Sequence, residues 1–383
     1  MEIGFWDYTC PRNGSLERYT NADWDLLLDD MVAGGFDSLV ICPKWLTTGY
    51  RSRFSWLDQD PSCSAVAQDN EPIHHALAGA RARGIRTRLL IVATIFPSRE
   101  FSLPGGVTFP WPGVFEDGEI MIYDLDCPGL LERMDLLVTE IVDLFGAQTD
   151  GLIIELEFAD GEAPHRIPVY DAWAAKNNRP SFADMRKFRL ESRQYPLAHW
   201  RDFTTTRRFE TLQHLERTIR GRGFAGELSS LIELDNRPGV VMSNVNMRML
   251  ADALPGWAVS TYDNYYDRRL NRLASMDMCI HQPRAVGLPV QYLTRGVMTF
   301  ATPSWLSPTS LEEQWRMSLE DARDHRPDVL WFMGADARLP GAVSSDALLP
   351  SWGFADGRSA RQRLMAMAGE ILSGSSRQSL RRS

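Results

Sequence analysis

Residues 150–158 read DGLIIELEF. The apolar run is too short for a helix, and it is entered through Gly151, which is how a strand buried on both faces reads. Side chains along a strand alternate with a period of two, so Glu155 and Glu157 share one face. Were that face turned outward, two acids would lie beneath a layer of helices, a costly burial without partners. The alternative is a strand whose outer face meets helices and whose inner face ends in carboxylates. A parallel sheet wrapped by helices has this form.

The same kind of run recurs along the 383 residues. Further strands are predicted at 3–8 (IGFWDY), 38–44 (SLVICPK), 87–95 (TRLLIVATI), 226–234 (GELSSLIEL), 257–263 (WAVSTYD), 289–294 (PVQYLT) and 328–334 (DVLWFMG). Helical patterns alternate with them. The first begins near Asn21 or Asp23 as N-cap and ends at Gly34-Gly35. Others run from about Pro72 to Arg83, from Gly129 to Phe145, and up to Arg222, and later near 245–254, 267–286, 310–325 and 359–373. Three helices end in a glycine just before a strand (GGFDSLVI, RGIRTRLL, RGFAGELS), the position of a left-handed cap.

Eight strand–helix units in series give an α/β fold of the (β/α)8 TIM-barrel type. A doubly wound open sheet is the competing arrangement, but no GxGxxG follows the first strand. The barrel is read as one domain over 1–373. A long insertion after strand 4 (160–208), rich in aromatic and charged residues, falls on the face where barrel loops build sites. Residues 335–358 read as a loop after strand 8, and 374–383 (GSSRQSLRRS) as a disordered tail.

Lys+Arg 41 against Asp+Glu 50 gives a net charge of −9, and an acidic surface repels phosphate backbones, so no nucleic-acid partner is expected. No stretch approaches the roughly 20 apolar residues of a membrane span. The start, Met1 to Gly4, has neither a basic n-region nor an apolar h-region, and a cytoplasmic location is expected. The five cysteines (Cys10, Cys42, Cys63, Cys127, Cys279) form no CxxC, which fits a reducing compartment and gives no metal site. No cofactor is implied. Oligomeric state stays open, a homo-oligomer included.

Chemistry in a barrel sits at the C-terminal strand ends. Strand 4 offers Glu155 and Glu157, with Asp160 beyond; like charges at close range push one carboxyl pKa up, as acid–base work requires. Strand 5 ends in Glu233 and Asp235. Strand 6 ends in Tyr262, Asp263, Tyr265 and Tyr266. Trp6 and Asp7 on strand 1, Lys44 and Trp45 on strand 2, Arg295 on strand 7 and Trp331 on strand 8 complete the ring. Tryptophan and tyrosine present flat apolar faces with a polar edge, which suits the C–H face of a sugar ring, and a carbohydrate substrate is expected. The same rings also serve as barrel packing. His165 in the insertion is within reach of the site but reads first as a surface-loop histidine, and His74-His75 diverge on a helix and share no metal.

These residues resemble the (β/α)8 glycoside hydrolases. The likeness rests on GFWDY, on PKWLTTGY after strand 2, on IIELEFADG at strand 4 and on the aromatic insertion. In its second unit the chain is similar to α-L-fucosidases, with a GF…LV…K segment and a helix ending in RxRGI. It departs from them in two places. They carry paired histidines after strand 2, where this chain has Cys42-Pro43-Lys44-Trp45. Their nucleophile is an aspartate on strand 4, where this chain has Glu155 and Glu157.

Glycoside hydrolysis needs two carboxyl groups flanking the scissile bond. The expected roles are Glu157 as nucleophile or base, Asp263 as general acid, Glu155 tuning Glu157 from one layer deeper, and Glu233 in reserve. Trp6, Trp45 and Tyr262 line the sugar subsite, and Lys44 and Arg295 bind hydroxyls or an anionic group. Two other readings compete: a lysine-dependent aldolase or lyase using Lys44 as a Schiff base, and a barrel that binds carbohydrate without turning it over.

Overall fold

The computed structural model describes residues 1–7, 19–57, 59, 63–97, 103, 106–110, 119–156, 163–192, 197–233, 247–262, 276–296, 311–334 and 354–373. Glu157, Asp160, Asp235, Asp263, Tyr265, Tyr266 and the tail 374–383 lie outside the described residues, as do the side chains of Glu233, Tyr262 and Arg295.

Eight parallel strands close into a barrel: β1 (Glu2–Asp7), β2 (Ser38–Lys44), β3 (Arg86–Val92), β7 (Gly151–Glu155), β8 (Glu227–Glu233), β9 (Ala258–Tyr262), β10 (Val290–Arg295) and β11 (Val329–Met333), with β11 pairing back onto β1. All eight fall on the apolar runs read from the sequence. The main helices between and after them are α1 (Asn21–Ala33), α2 (Glu71–Ala82), α3 (Leu130–Phe145), α4 (Arg166–Lys176), α5 (Phe182–Ser192), α6 (Leu197–Gly221), α7 (Met247–Ala253), α8 (Leu311–His325) and α9 (Gly357–Ser373). Gly35, Gly84 and Gly223 take φ of 71°, 71° and 84°, the left-handed geometry that lets each helix turn directly into a strand.

Three details differ from expectation. The N-cap of α1 is Thr20, whose hydroxyl receives the Asp23 N–H while the Asp23 carboxylate accepts the Thr20 N–H at 2.9 Å, a reciprocal capping box. The chain after β3 adds a small antiparallel sheet, β4 (Ile95–Pro97), β5 (Gly106–Pro110) and β6 (Glu119–Tyr123), with β6 in the middle. Pro97 and Pro110 sit on its edge strands, where a missing N–H is tolerated. Finally, the insertion is helical: α4 and α5 lie in it, and α6 starts within it and continues unbroken into the fourth helical unit. Tyr170, Phe182, Met185, Trp200 and Phe203 give α4–α6 a small aromatic core of their own.

Strand alternation divides the barrel core into two shells. Leu39, Ile41, Leu89, Ile91, Leu152 and Ile154 face the helices. Trp6, Val40, Cys42, Leu90, Val92, Ile153, Leu231, Leu293, Trp331 and Met333 face the barrel axis. At the N-terminal end the interior is closed by charge. Arg88, 1% exposed, donates to Glu227 at 2.9 and 3.1 Å, to Glu2 at 3.0 Å and to Ser38 at 2.9 Å. The Gln291 amide also donates to Glu227, and Ser260 donates to Gln291 at 2.7 Å. Gly151 makes this possible: a Cβ there would meet the Arg88 side chain at 3.2 Å and the Glu227 carbonyl at 3.2 Å.

The ends of the chain are joined on the outside. Asp30 of α1 accepts from Arg358 at 2.9 and 3.0 Å and from the buried Arg361 at 2.6 Å on α9. Burial raises the Asp30 carboxyl pKa, but the two guanidinium groups outweigh it and hold it below the ordinary value.

Two outcomes are expected from chemical denaturation. Arg88→Ala leaves Glu2 and Glu227 with only the exposed Arg86 as a cation and opens a cavity, at a cost of about 3 kcal/mol or more. Asp30→Asn removes the carboxylate that Arg358 and Arg361 share and costs about 3 kcal/mol at neutral pH. A depressed carboxyl contributes stability above its unfolded pKa and loses it as pH falls through the folded one, so wild type and Asp30→Asn converge below the carboxylate range.

Candidate active face

The C-terminal ends of the barrel strands gather most of the residues read as chemical. Glu155 closes β7. Its neighbours in register are Val92 and Leu231, and its face is that of Ile153, all in the inner shell. The inward reading of strand 4 thus holds for Glu155, which is half-buried at the mouth of the barrel. Glu157 shares that parity two residues on, outside the described residues. Glu233 pairs in register with Tyr262 at the ends of β8 and β9, and Arg295 ends β10 opposite Met333.

Asp7, Cys42 and Lys44 stand near Glu155, and the Cys42 thiol registers them electrically. Burial drives its pKa well up, the negative charges of Glu155 and Asp7 push the same way, and Lys44 opposes them. Two acids, one cation and one thiol therefore share the upper interior, and Asp7, Cys42 and Lys44 are almost wholly buried there.

Lys44 does not present its ammonium to an open cavity. It donates to the carbonyls of Trp45, of Val92 at 3.2 Å and of Ile95 at 2.9 Å, and it lies 4.6 Å from the Phe96 ring centre. It ties the end of β2 to the end of β3 and the start of the small sheet. Schiff-base chemistry needs a neutral amine with an open approach, and this ammonium is the donor to three carbonyls instead.

The tryptophans divide by depth. Trp6 and Trp331 meet edge to face with centroids 5.1 Å apart, both fully buried. Trp331 donates its indole N–H to Ser38 at 3.0 Å and lies over Arg88, so it belongs to the floor of the barrel rather than to a substrate platform. Trp45 is 1% exposed and packs in the inner shell beside Leu46, Ile95 and Ile122. The loop after β2 is pinned outward: Tyr50 and Ser52 donate to Glu140 of α3 at 2.7 and 2.6 Å, and the Arg53 N–H joins them at 2.8 Å.

Of a polar cluster at this face the sequence reading reached only His165. Asp124 directly follows β6, and His165 directly precedes α4. His165 Nε2 lies 2.7 Å from Asp124, whose other oxygen accepts the Asp126 N–H at 2.9 Å. Asp126 accepts from Arg166 at 3.0 Å and Arg207 at 2.6 Å. The available signal was the pair Asp124 and Asp126, two apart at the end of the run EIMIYDLD. The other two histidines considered earlier are structural: His74 meets Gln148 at 2.9 Å and His75 meets Asp25 at 3.2 Å. Among the described residues no three His, Cys, Asp or Glu side chains gather to hold a metal ion, and no helix is long and apolar enough to cross a membrane.

No family model and no curated protein sequence matches the chain. Solved structures do. The β-galactosidase of the psychrophilic Marinomonas ef1 superposes with a TM-score of 0.64 at 11% identity, covering 98% of this chain and 60% of that one. α-L-Fucosidase isoenzyme 2 of Paenibacillus thiaminolyticus gives 0.54 at 10%, covering 97% and 48%. A D-psicose 3-epimerase in the presence of D-fructose gives 0.50 at 11%, covering 98% and all of that chain. The chain thus spans about half to three fifths of those two glycosidases. At these identities the likeness is one of fold: a closed parallel (β/α)8 barrel that glycoside hydrolases also use.

Two chemical tests follow from the burial of these groups. In the native protein at mildly alkaline pH, iodoacetamide leaves Cys42 unmodified, and peptide mapping finds it alkylated only after denaturation. Borohydride reduction in the presence of a ketose produces no adduct on the Lys44 peptide; a reduced adduct there would restore the Schiff-base reading.

Proposed function

We propose that the protein is a glycoside hydrolase acting on a neutral sugar at the open end of the barrel. The observation that carries this is Glu155: a carboxylate on the inner face of the fourth strand, at the mouth, among Asp7, Cys42 and Lys44. Glu157, two residues further along the sequence, is the nucleophile or base. Asp263 is the general acid, Glu233 its reserve, and Glu155 raises the proton affinity of Glu157 by charge repulsion. Tyr262, Tyr265 and Arg295 contact the sugar, and Trp6 supports the site from below. Trp331 has no part in it, and Lys44 holds the wall. The glycosidase neighbours support the reading through their fold.

A second reading is sugar epimerisation. It is favoured by one observation: this chain matches the whole length of the epimerase but only part of the glycosidases. Both readings make the substrate a sugar.

The test is turnover of aryl glycosides (α-L-fucoside, α- and β-galactoside, β-glucuronide) by wild type, Glu157→Gln and Glu155→Gln. One glycoside is hydrolysed, and Glu157→Gln lowers kcat by about 10²–10⁴-fold while staying folded. Glu155→Gln lowers it less and shifts the pH profile. Full activity in Glu157→Gln would move the centre to Glu233 and Asp263. Conversion of D-fructose, with no glycoside cleaved, would establish the epimerase reading.

A further inference from the structure

The Asp124–His165 pair lies on the active face, yet no part of the proposed hydrolysis uses it. Its position follows from backbone pairing. The Ala93 N–H donates to the Glu155 carbonyl at 3.1 Å, and the Tyr123 N–H donates to the Thr94 carbonyl at 3.1 Å. Asp124 is therefore two strand spacings from the end of β7, roughly 10 Å. His165 comes from the insertion after the same strand, where Arg208 of α6 also donates to the Leu156 carbonyl at 2.6 Å. The pair bridges the small sheet and the helical insertion above barrel strands 3 and 4.

The joint between these two loops is already secured without it. Asp126 holds Arg166 and Arg207, and Arg166 is sandwiched against Trp200 and Phe203 at 4.9 and 5.4 Å. Asp124 is buried at 2% exposure, a placement that raises its carboxyl pKa by desolvation against the pull of Arg166 and His165. The buried carboxylate is paired, with His165 at 2.7 Å and the Arg166 guanidinium at 3.7 Å, as burial of a charge requires. What Asp124 adds is the alignment of an imidazole. With the carboxylate ionised, His165 donates from Nε2, and its lone pair is left on Nδ1. Nδ1 makes no hydrogen bond to any described residue, and the side chain is 24% exposed. The arrangement is a carboxylate fixing one tautomer of a histidine whose second nitrogen is open.

We infer that His165, held by Asp124, is a substrate-contacting residue whose Nδ1 accepts a hydrogen bond from a neutral sugar hydroxyl at the barrel mouth. The neutrality follows from the surroundings: the two cations Arg166 and Arg207 are matched by Asp126 together with Asp124 and Glu210, so the cluster offers no unmatched cation to a phosphate or carboxylate. The inference rests on reading the mouth as a sugar site, and holds for hydrolysis and epimerisation alike.

Two experiments test it. Diethylpyrocarbonate modification of the wild type is followed by mass spectrometry, alone and with an excess of D-galactose, L-fucose or D-fructose. At least one of these sugars slows the modification of His165 several-fold while leaving that of His74 unchanged. If none does, the inference is overturned. The second compares His165→Gln with His165→Ala on whichever substrate the wild type turns over. Glutamine keeps the N–H that meets Asp124 but has no acceptor where Nδ1 stood. Substrate contact predicts that His165→Gln loses about tenfold in kcat/KM, the worth of one hydrogen bond. A merely structural histidine predicts that glutamine behaves as wild type while alanine does not, and that result would also overturn the inference. Sugar protection of His165 with no glycoside cleaved would refute hydrolysis and leave the inference standing.

Discussion

The closed floor of the barrel is the constraint on which the rest depends. Gly151 has no side chain, and the Arg88–Glu227 pair fills the room this leaves, with Glu2, Ser38 and Gln291 completing its hydrogen bonds. An arginine this deep is stable only when its donors are matched. Trp331 covers it from above, and Trp6 covers Trp331. The interior is sealed from below by charge and then by aromatic packing. The barrel is a cup with one mouth, and any polar inward residue near that mouth faces either the wall or a ligand.

The wall accounts for several of these residues. Lys44 ties three carbonyls, and Glu140 on α3 collects the loop after β2. Glu155 is placed differently. It sits where the inner shell changes from apolar to polar, with acid and cation nearby, and burial first, then the charges of Glu155 and Asp7, hold the Cys42 thiol protonated. Low-dielectric surroundings with a neighbouring like charge are the conditions in which a carboxyl is tuned for proton transfer.

The strands were legible because each must be apolar on both faces, and the helix ends because glycine marks the turn into the next strand. Period two placed Glu155 correctly on the inner face. The small sheet was not legible because its strands, 95–97, 106–110 and 119–123, are too short to carry a periodic signal. Lys44 was legible as a strand-end cation, but its occupation was not, since its carbonyl partners lie 48 and 51 residues away. The Asp124–His165 pair spans 41 residues and joins two loops, so the Asp124–Asp126 spacing marks one side of it and no local signal ties His165 to it. Trp331 is a tryptophan in a strand by sequence, and only its register over Arg88 tells floor from rim.

The account stands on an acid of the fourth strand facing a sugar in the mouth of the cup. The most direct measurement is affinity labelling with epoxypropyl glycosides, which esterify site carboxylates in retaining and inverting enzymes alike, followed by peptide mapping. The account predicts one ester within 151–160, on Glu155 or Glu157, suppressed by the free sugar. A sugar-suppressed ester confined to other peptides, or labelling that free sugar does not suppress, would contradict it.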